Sequence, residues 1–229
     1  FSVRDYLALR QIRHVRAYQD QVPAEFSHHI SLRSHQRAAK YTSARAQLSL
    51  LESTVDTALL VGLLLLGGLQ WLDTFWARTL DNDWLRQLAL IGSVFFLGGL
   101  VQLPFTVWRT FVLEQRFGFN RMTPRLFVSD LIKTLLLSVL LGVPLISAVL
   151  WLMASAGSAW PWWAWLIWVS FSLCVMWLFP SVIAPLFNQF KPLERADLKH
   201  RIEQLAQRCG FTLSGLFVMD GSKRSAHGN

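Results

Sequence analysis

The stretch Thr134–Phe190, TLLLSVLLGVPLISAVLWLMASAGSAWPWWAWLIWVSFSLCVMWLFPSVIAPLFNQF, contains no Asp, Glu, Lys, Arg or His. About 20 apolar residues in a helix cross the roughly 30 Å of bilayer hydrocarbon. The run is therefore too long for one crossing and long enough for two. Gly, Ser and Pro in AGSAWP (Ala156–Pro161) favour a turn, which predicts spans at about 134–154 and 162–179. Trp160, Trp162, Trp163 and Trp165 cluster at that turn, as an interfacial aromatic belt does. Upstream, Leu88–Val107 (LALIGSVFFLGGLVQLPFTV) is also free of charge and predicts a third span. Val55–Leu72 (VDTALLVGLLLLGGLQWL), with one acid at Asp56, predicts a fourth. The expected fold is an all-α polytopic membrane protein with four visible transmembrane helices.

Composition agrees with this reading. Hydrophobic residues make up 53% of the 229 and charged residues 16%, with a mean hydropathy of +0.35. A soluble domain carries about 25% charged residues. Disorder, a disulfide scaffold and an ordinary cytosolic enzyme are excluded. Cys174 lies in an apolar run and Cys209 in a polar one, so a mutual disulfide is not expected.

The net charge of +8 is distributed as a topology signal. Lys and Arg number eight in residues 1–53, two in 72–87, five in 108–133, none in 155–161 and seven in 181–229. Rich and poor segments alternate, which the positive-inside rule reads as orientation. Residues 1–53, 108–133 and 181–229 are thus expected on the cytoplasmic side. A nucleic-acid partner is not expected, because its charges would share one face instead of alternating with apolar spans.

Three regions follow: a basic cytoplasmic helical segment (1–53), a transmembrane region (54–190) and a short soluble α/β tail (191–229). In the first, Val22–Phe26 (VPAEF) separates two helices, and the second leads into the membrane. In the tail, Leu193, Leu198, Ile202, Leu205 and Cys209 fall at helical spacing. Gly210 is placed to end that helix. Leu216–Met219 reads as a strand, and Asp220-Gly221 predicts a hairpin with a return strand over Ser222–Asn229. The chain opens on Phe1 and stops in mid-pattern at Asn229, so a fragment is expected.

The residues alone hold no complete active site. His14, His28, His29, His35, His200 and His227 include no HExxH pair. Asp56 is either an intramembrane functional acid or the acid of a helix start. The glycine pairs near the membrane centre, Gly98 and Gly99 among them, suit close helix packing in lipid. No GxSxG is present.

Several motifs together resemble the type I CAAX prenyl endopeptidases, membrane-embedded zinc metalloproteases of the gluzincin kind. They are LFNQFKPLERADLKHRIEQLAQRCGF (186–211), GLFVMDGSKRSAHGN (215–229), VPAEF, ISLRSHQRAAKYTSAR (30–45) and FGFNRMTPRLFVSDLIK (117–133). The resemblance implies seven transmembrane helices around a large intramembrane chamber. It implies zinc held by the two His of HExxH and a later Glu. Neither motif is present here, so no catalytic or metal-ligating residue is assigned, and the zinc ligands are expected downstream of Asn229. His227 and Asn229 map beside the family's substrate cleft, where an extended peptide can add to a strand edge; the alternative is that Asn229 caps a turn. The expected partners are a peptide or protein substrate at the membrane, prenylated or not, and the lipid bilayer. A non-enzymatic membrane scaffold and a transporter-like protein are the alternatives.

Overall fold

The computed structural model describes residues 3–26, 28–213 and 215–226. They fall into two compact units, one reaching to Asn120 and joined by Ala226, the other running from Arg121 to Ser225. Among the described residues, four helices are long and apolar enough to cross a membrane: α2 (Leu32–Leu64), α4 (Asp83–Phe117), α5 (Pro124–Ser155) and α6 (Gly157–Phe187).

In the first unit, α1 (Val3–Ala17) lies along α2. Arg4 donates to Ser49 at 3.4 Å and Gln36 donates to Asp20 at 2.7 Å. VPAEF forms the tight 3₁₀ turn Ala24–Phe26 between them. Ser31 starts α2 because its side-chain oxygen accepts the Ser34 amide, satisfying a donor that has no partner within the helix. The helix then runs unbroken into apolar sequence. It stops at Leu64, where the Leu65 and Leu66 amides both turn back to the Val61 carbonyl and Gly67 takes a φ of +79°.

That break divides the predicted span 55–72. The crossing helix begins in the basic segment and ends at Leu64. Its continuation, α3 (Gly68–Thr79), has 12 residues, about 18 Å and too short to cross. A side chain at Gly68 would sit 2.8 Å from the Gly62 carbonyl oxygen and 2.9 Å from the Leu63 Cα, so the turn closes only around glycine. A Cβ at Gly98 or Gly99 would meet nothing within 4 Å, so these two glycines mark no close packing among the described residues. Asp56 is corrected too. It lies deep inside α2 and is no helix-start acid. Instead it accepts two 2.6 Å hydrogen bonds from Gln102 of α4.

Asn82 opens α4 by accepting the amides of Trp84 and Leu85. Near its end, Arg109–Glu114 widens into a π turn before closing at Phe117. Gly118, at φ +79°, then reverses the chain in the left-handed region that glycine adopts without strain.

In the second unit, Thr123 caps α5 by accepting the Leu126 amide at 3.3 Å, and Pro124 fills its first turn. The helix α6 begins on the tight turn Gly157–Ala159, continues as Trp160–Leu178, and opens into a π turn at Phe179–Ile183, where Pro180 supplies no amide hydrogen. Its last turn is Ala184–Phe187. Then come β1 (Phe190–Pro192), α7 (Ala196–Arg208) and β2 (Phe217–Met219). Gly210 follows α7 at φ +72°, as its place in the sequence predicts.

The hairpin expected at Asp220-Gly221 does not form. Among the described residues, β2 pairs antiparallel with β1, in the register Phe190↔Met219, Lys191↔Val218 and Pro192↔Phe217. Asp220 leads into a 3₁₀ turn, Gly221–Lys223. The partner strand lies before α7, where Phe190–Pro192 follows the last turn of α6 in extended conformation. An Asp-Gly pair is compatible with a helical turn when its carboxylate is committed elsewhere.

Candidate functional site

The segment Asp220–Ala226 leads directly to His227 and Asn229, which lie outside the described residues. Its ties are set by two short-range features of the second unit. At one end, Asp220 exchanges two hydrogen bonds with Gln189: its amide donates to the Gln189 carbonyl at 3.2 Å, and its carboxylate accepts the Gln189 amide at 2.8 Å. Lys223 reaches the same carboxylate at 2.6 Å. The lysine ammonium first, and then the Gln189 amide, hold the Asp220 carboxyl below its ordinary value.

At the other end stands Arg224. Its guanidinium faces Asp130 of α5 as a two-pronged fork, Nε to Oδ2 at 2.8 Å and Nη2 to Oδ1 at 3.2 Å. Nη1 donates to the Asn188 side chain at 2.7 Å, and Nη2 also donates to the Phe187 carbonyl. The two charged side chains are 20% and 17% exposed. A planar guanidinium carries five donors in a fixed geometry, and four acceptors here match that fork. Two of the acceptors lie at the end of α6, where helix carbonyls lack intrahelical partners. Lys133 of α5 supplies the same service one residue earlier, donating to the Leu186 carbonyl at 2.9 Å. Cations at a helix C-terminus also complement its dipole. The main chain continues the anchoring: the Arg121 amide donates to the Arg224 carbonyl at 3.2 Å.

In the first unit, the Ala226 amide donates to the Phe119 carbonyl at 2.9 Å. Phe119 belongs to the loop after α4. Arg37 donates to the Phe117 carbonyl at 2.6 Å, and the Tyr41 ring meets the Phe117 and Phe119 rings edge-on at 5.1 Å. The Tyr41 hydroxyl donates to Glu114 at 2.6 Å. Further along the same helix pair, Arg109 is bonded to Glu52, which is buried, and Gln102 to Asp56. Sequence reasoning missed Glu52 and treated Arg109 as a topology charge. The available signal was an acid and a base on two apolar helices, each too costly to leave unpaired in lipid.

A catalytic zinc takes about three protein ligands and keeps one position open. Among the described residues, no group of three or more His, Cys, Asp or Glu is disposed to hold a metal ion. His14 meets the Tyr18 ring at a tilt, with centroids 4.6 Å apart, His35 bonds to the Tyr18 carbonyl, and His200 bonds to Gln204. The described residues therefore do not fit a catalytic zinc site.

A family model for the N-terminal region of CAAX prenyl proteases, described as having five membrane helices, matches residues 11–189. The chain belongs to the CAAX prenyl protease family. A CAAX prenyl protease 1 homolog of Oryza sativa is 42% identical over 65% of this chain and 35% of its own length. One from Arabidopsis thaliana is 33% identical over 98% of this chain and 54% of its own. The crystal structure of S. mikatae Ste24p superposes with a TM-score of 0.84 at 30% identity, covering 99% of this chain and 54% of that one. This CAAX prenyl protease family member thus spans between about a third and a half of the length of these relatives. It is a multi-pass membrane protein of the Ste24p-like helical fold, with a small two-stranded sheet.

Proposed function

We propose that this chain is the membrane-helix portion of a zinc metalloendopeptidase that hydrolyses peptide bonds of membrane-associated, prenylated proteins. In this reading the chain binds and positions the peptide, and the zinc is held by residues other than those described. The observation that supports the reading is the anchoring of Asp220 to Gln189 and of Arg224 to Asp130, Asn188 and the Phe187 carbonyl. A peptide held main chain to main chain needs a strand that is already immobile, since ordering it during binding would subtract from affinity. His227 and Asn229, the residues proposed to meet the peptide, follow immediately. Zinc, when bound by the longer protein, polarises the scissile carbonyl and activates a water.

The test compares this chain with a longer protein containing it, by metal analysis and by cleavage of a farnesylated and an unmodified peptide. The longer protein is expected to hold about one zinc and to cut the farnesylated peptide; this chain alone is expected to do neither. A longer protein that cuts neither peptide would overturn the proposed activity and leave the family membership standing.

A further inference from the structure

We propose that the outward face of α3 is a phospholipid site: Arg78 holds the lipid phosphate, and the stacked rings of Trp71 and Phe75 pack against the glycerol and the upper acyl chains. The inference concerns the membrane boundary and stands apart from the peptidase reading.

Two bonds set the depth of α3. From Arg45, the last basic residue before the break, α2 rises about 28 Å to Leu64, so the break lies at the opposite edge of the hydrocarbon. On α4, Arg86 stands just before the charge-free run Leu88–Val107, and Ser93 lies about 8 Å inside it. The short helix is tied to both levels: Asp73 pairs with Arg86 at 3.6 Å, and the Trp76 indole donates to Ser93 at 2.9 Å. It therefore lies in the interfacial layer, with the buried Leu72 on the side of those ties. Trp71, Phe75 and Arg78 recur at i, i+4 and i+7, which puts them together on the opposite side.

The two rings are exposed and nearly parallel, with centroids 5.9 Å apart and 18° between their planes. With Gln70 and Arg78 they line an open groove of about 590 Å³. The Thr74 and Thr79 hydroxyls along it donate back to the Gln70 and Phe75 carbonyls at 2.8 Å each, so its side-chain donors for a ligand are those of Gln70 and Arg78. Among the described residues the Arg78 guanidinium makes no hydrogen bond or ion pair, whereas Asp73 and Asp83 are both taken by Arg86. An unpaired guanidinium beside hydrocarbon is costly, and the oxygens of a phosphate match its fork. Aromatic rings favour the same layer, where one part of their surroundings is apolar and the other wet. A soluble anion would satisfy Arg78 and leave the rings bare; an acyl chain alone would cover the rings and leave the cation bare. A phospholipid does both. The face is also continuous with the exposed Leu65 and Leu66 at the end of the spanning helix α2.

The test uses the longer protein that contains this chain, stripped of lipid in detergent. It is exposed to a photoreactive phosphatidylcholine and, in parallel, to a photoreactive diacylglycerol with the same chains and no phosphate. Labelled peptides are located by mass spectrometry. Phosphatidylcholine is expected to label peptides covering 67–79, and diacylglycerol to label them roughly tenfold less, the factor set by one charge-assisted contact. Arg78→Gln should lower phosphatidylcholine labelling there by a similar factor, and Trp71→Ala should lower labelling by both lipids. Arg116→Gln, which removes an exposed cation at the far end of α4, should leave 67–79 unchanged. Inorganic phosphate should not compete, because it offers nothing to the rings. Equal labelling by the two lipids, unaltered by Arg78→Gln, would mean ordinary solvating lipid and would overturn the proposal. So would an absence of lipid labelling at 67–79, whether a second copy or another part of the longer protein covers the face. Competition by inorganic phosphate would reduce the site to an anion site and overturn the lipid assignment. If Arg78→Gln fails to fold, the comparison of the two lipids on the unsubstituted protein still decides.

Discussion

Glu52 is 8% exposed, and its charge is met by the Arg109 guanidinium. Breaking a buried ion pair by deleting one partner costs about 3–5 kcal/mol, because the remaining charge is left desolvated. Arg109 itself is 42% exposed, which places Arg109→Ala at the lower end of that range. Adding Glu52→Gln should recover part of the loss. Thermal unfolding in detergent measures both, and a change under about 1 kcal/mol would mean the pair behaves as a surface one. Asp220 makes a different prediction. Its folded carboxyl lies below the ordinary value of 3.8, so its tie is complete above that value and is lost as pH falls through the lower, folded one. A spin label at Ser222→Cys should keep constant mobility from pH 7 to about 5 and loosen only in stronger acid. Asp220→Asn should loosen it at every pH. Mobility that rises between pH 7 and 5 in the unsubstituted protein would exclude Asp220 as the group responsible. The long-range pairings could not be read from the sequence: Glu52 and Arg109 are 57 residues apart, and Arg224 and Asp130 are 94 apart. Spacing rules reach only a few residues along one element. What the sequence does mark is each lone charge beside an apolar run, without its partner.

The elements were legible where their signals are local. Thr123-Pro124 announces α5, Gly210 ends α7, and the charge-free run resolves into α5 and α6 at the turn after Ala156. The break after Leu64 was not legible, because its cause is steric: GLLLLGG is apolar throughout, and only the folded turn shows Gly68 pressed on the α2 backbone. Gly68→Ala is therefore expected to destabilise. Gly98→Ala, with open space around it, is expected to be neutral or to stabilise by up to about 1 kcal/mol through helix propensity. Melting curves of the two in detergent distinguish them, and equal shifts would contradict the close contact. The pairing of β2 with β1 was also hidden, since α7 intervenes between the strands. The apolar positions of α7 keep the helical spacing read in the sequence, but among the described residues none of α7 is buried and Leu205 is 62% exposed.

At the scale of the whole molecule, the alternation of basic and poor segments makes a prediction about sidedness. In a background lacking Cys174 and Cys209, Leu80→Cys and Ser158→Cys should label from outside, and Asn120→Cys and His200→Cys from the cytoplasm. Outer labelling at position 120 would overturn the orientation. One feature of the fold also bears on how the protein is made. Lys133 and Arg224 satisfy the carbonyls that end α6, but they arrive at different times. Lys133 precedes the helix in the chain, whereas Arg224 follows Phe187 by 37 residues. At roughly 5–20 residues per second of synthesis, that is a wait of about 2–7 seconds. For that interval the newborn helix end depends on Lys133 and water alone. Biogenesis factors that shield polar groups at the membrane surface have their opportunity in those seconds, and a ribosome stalled between codons 188 and 224 would prolong them.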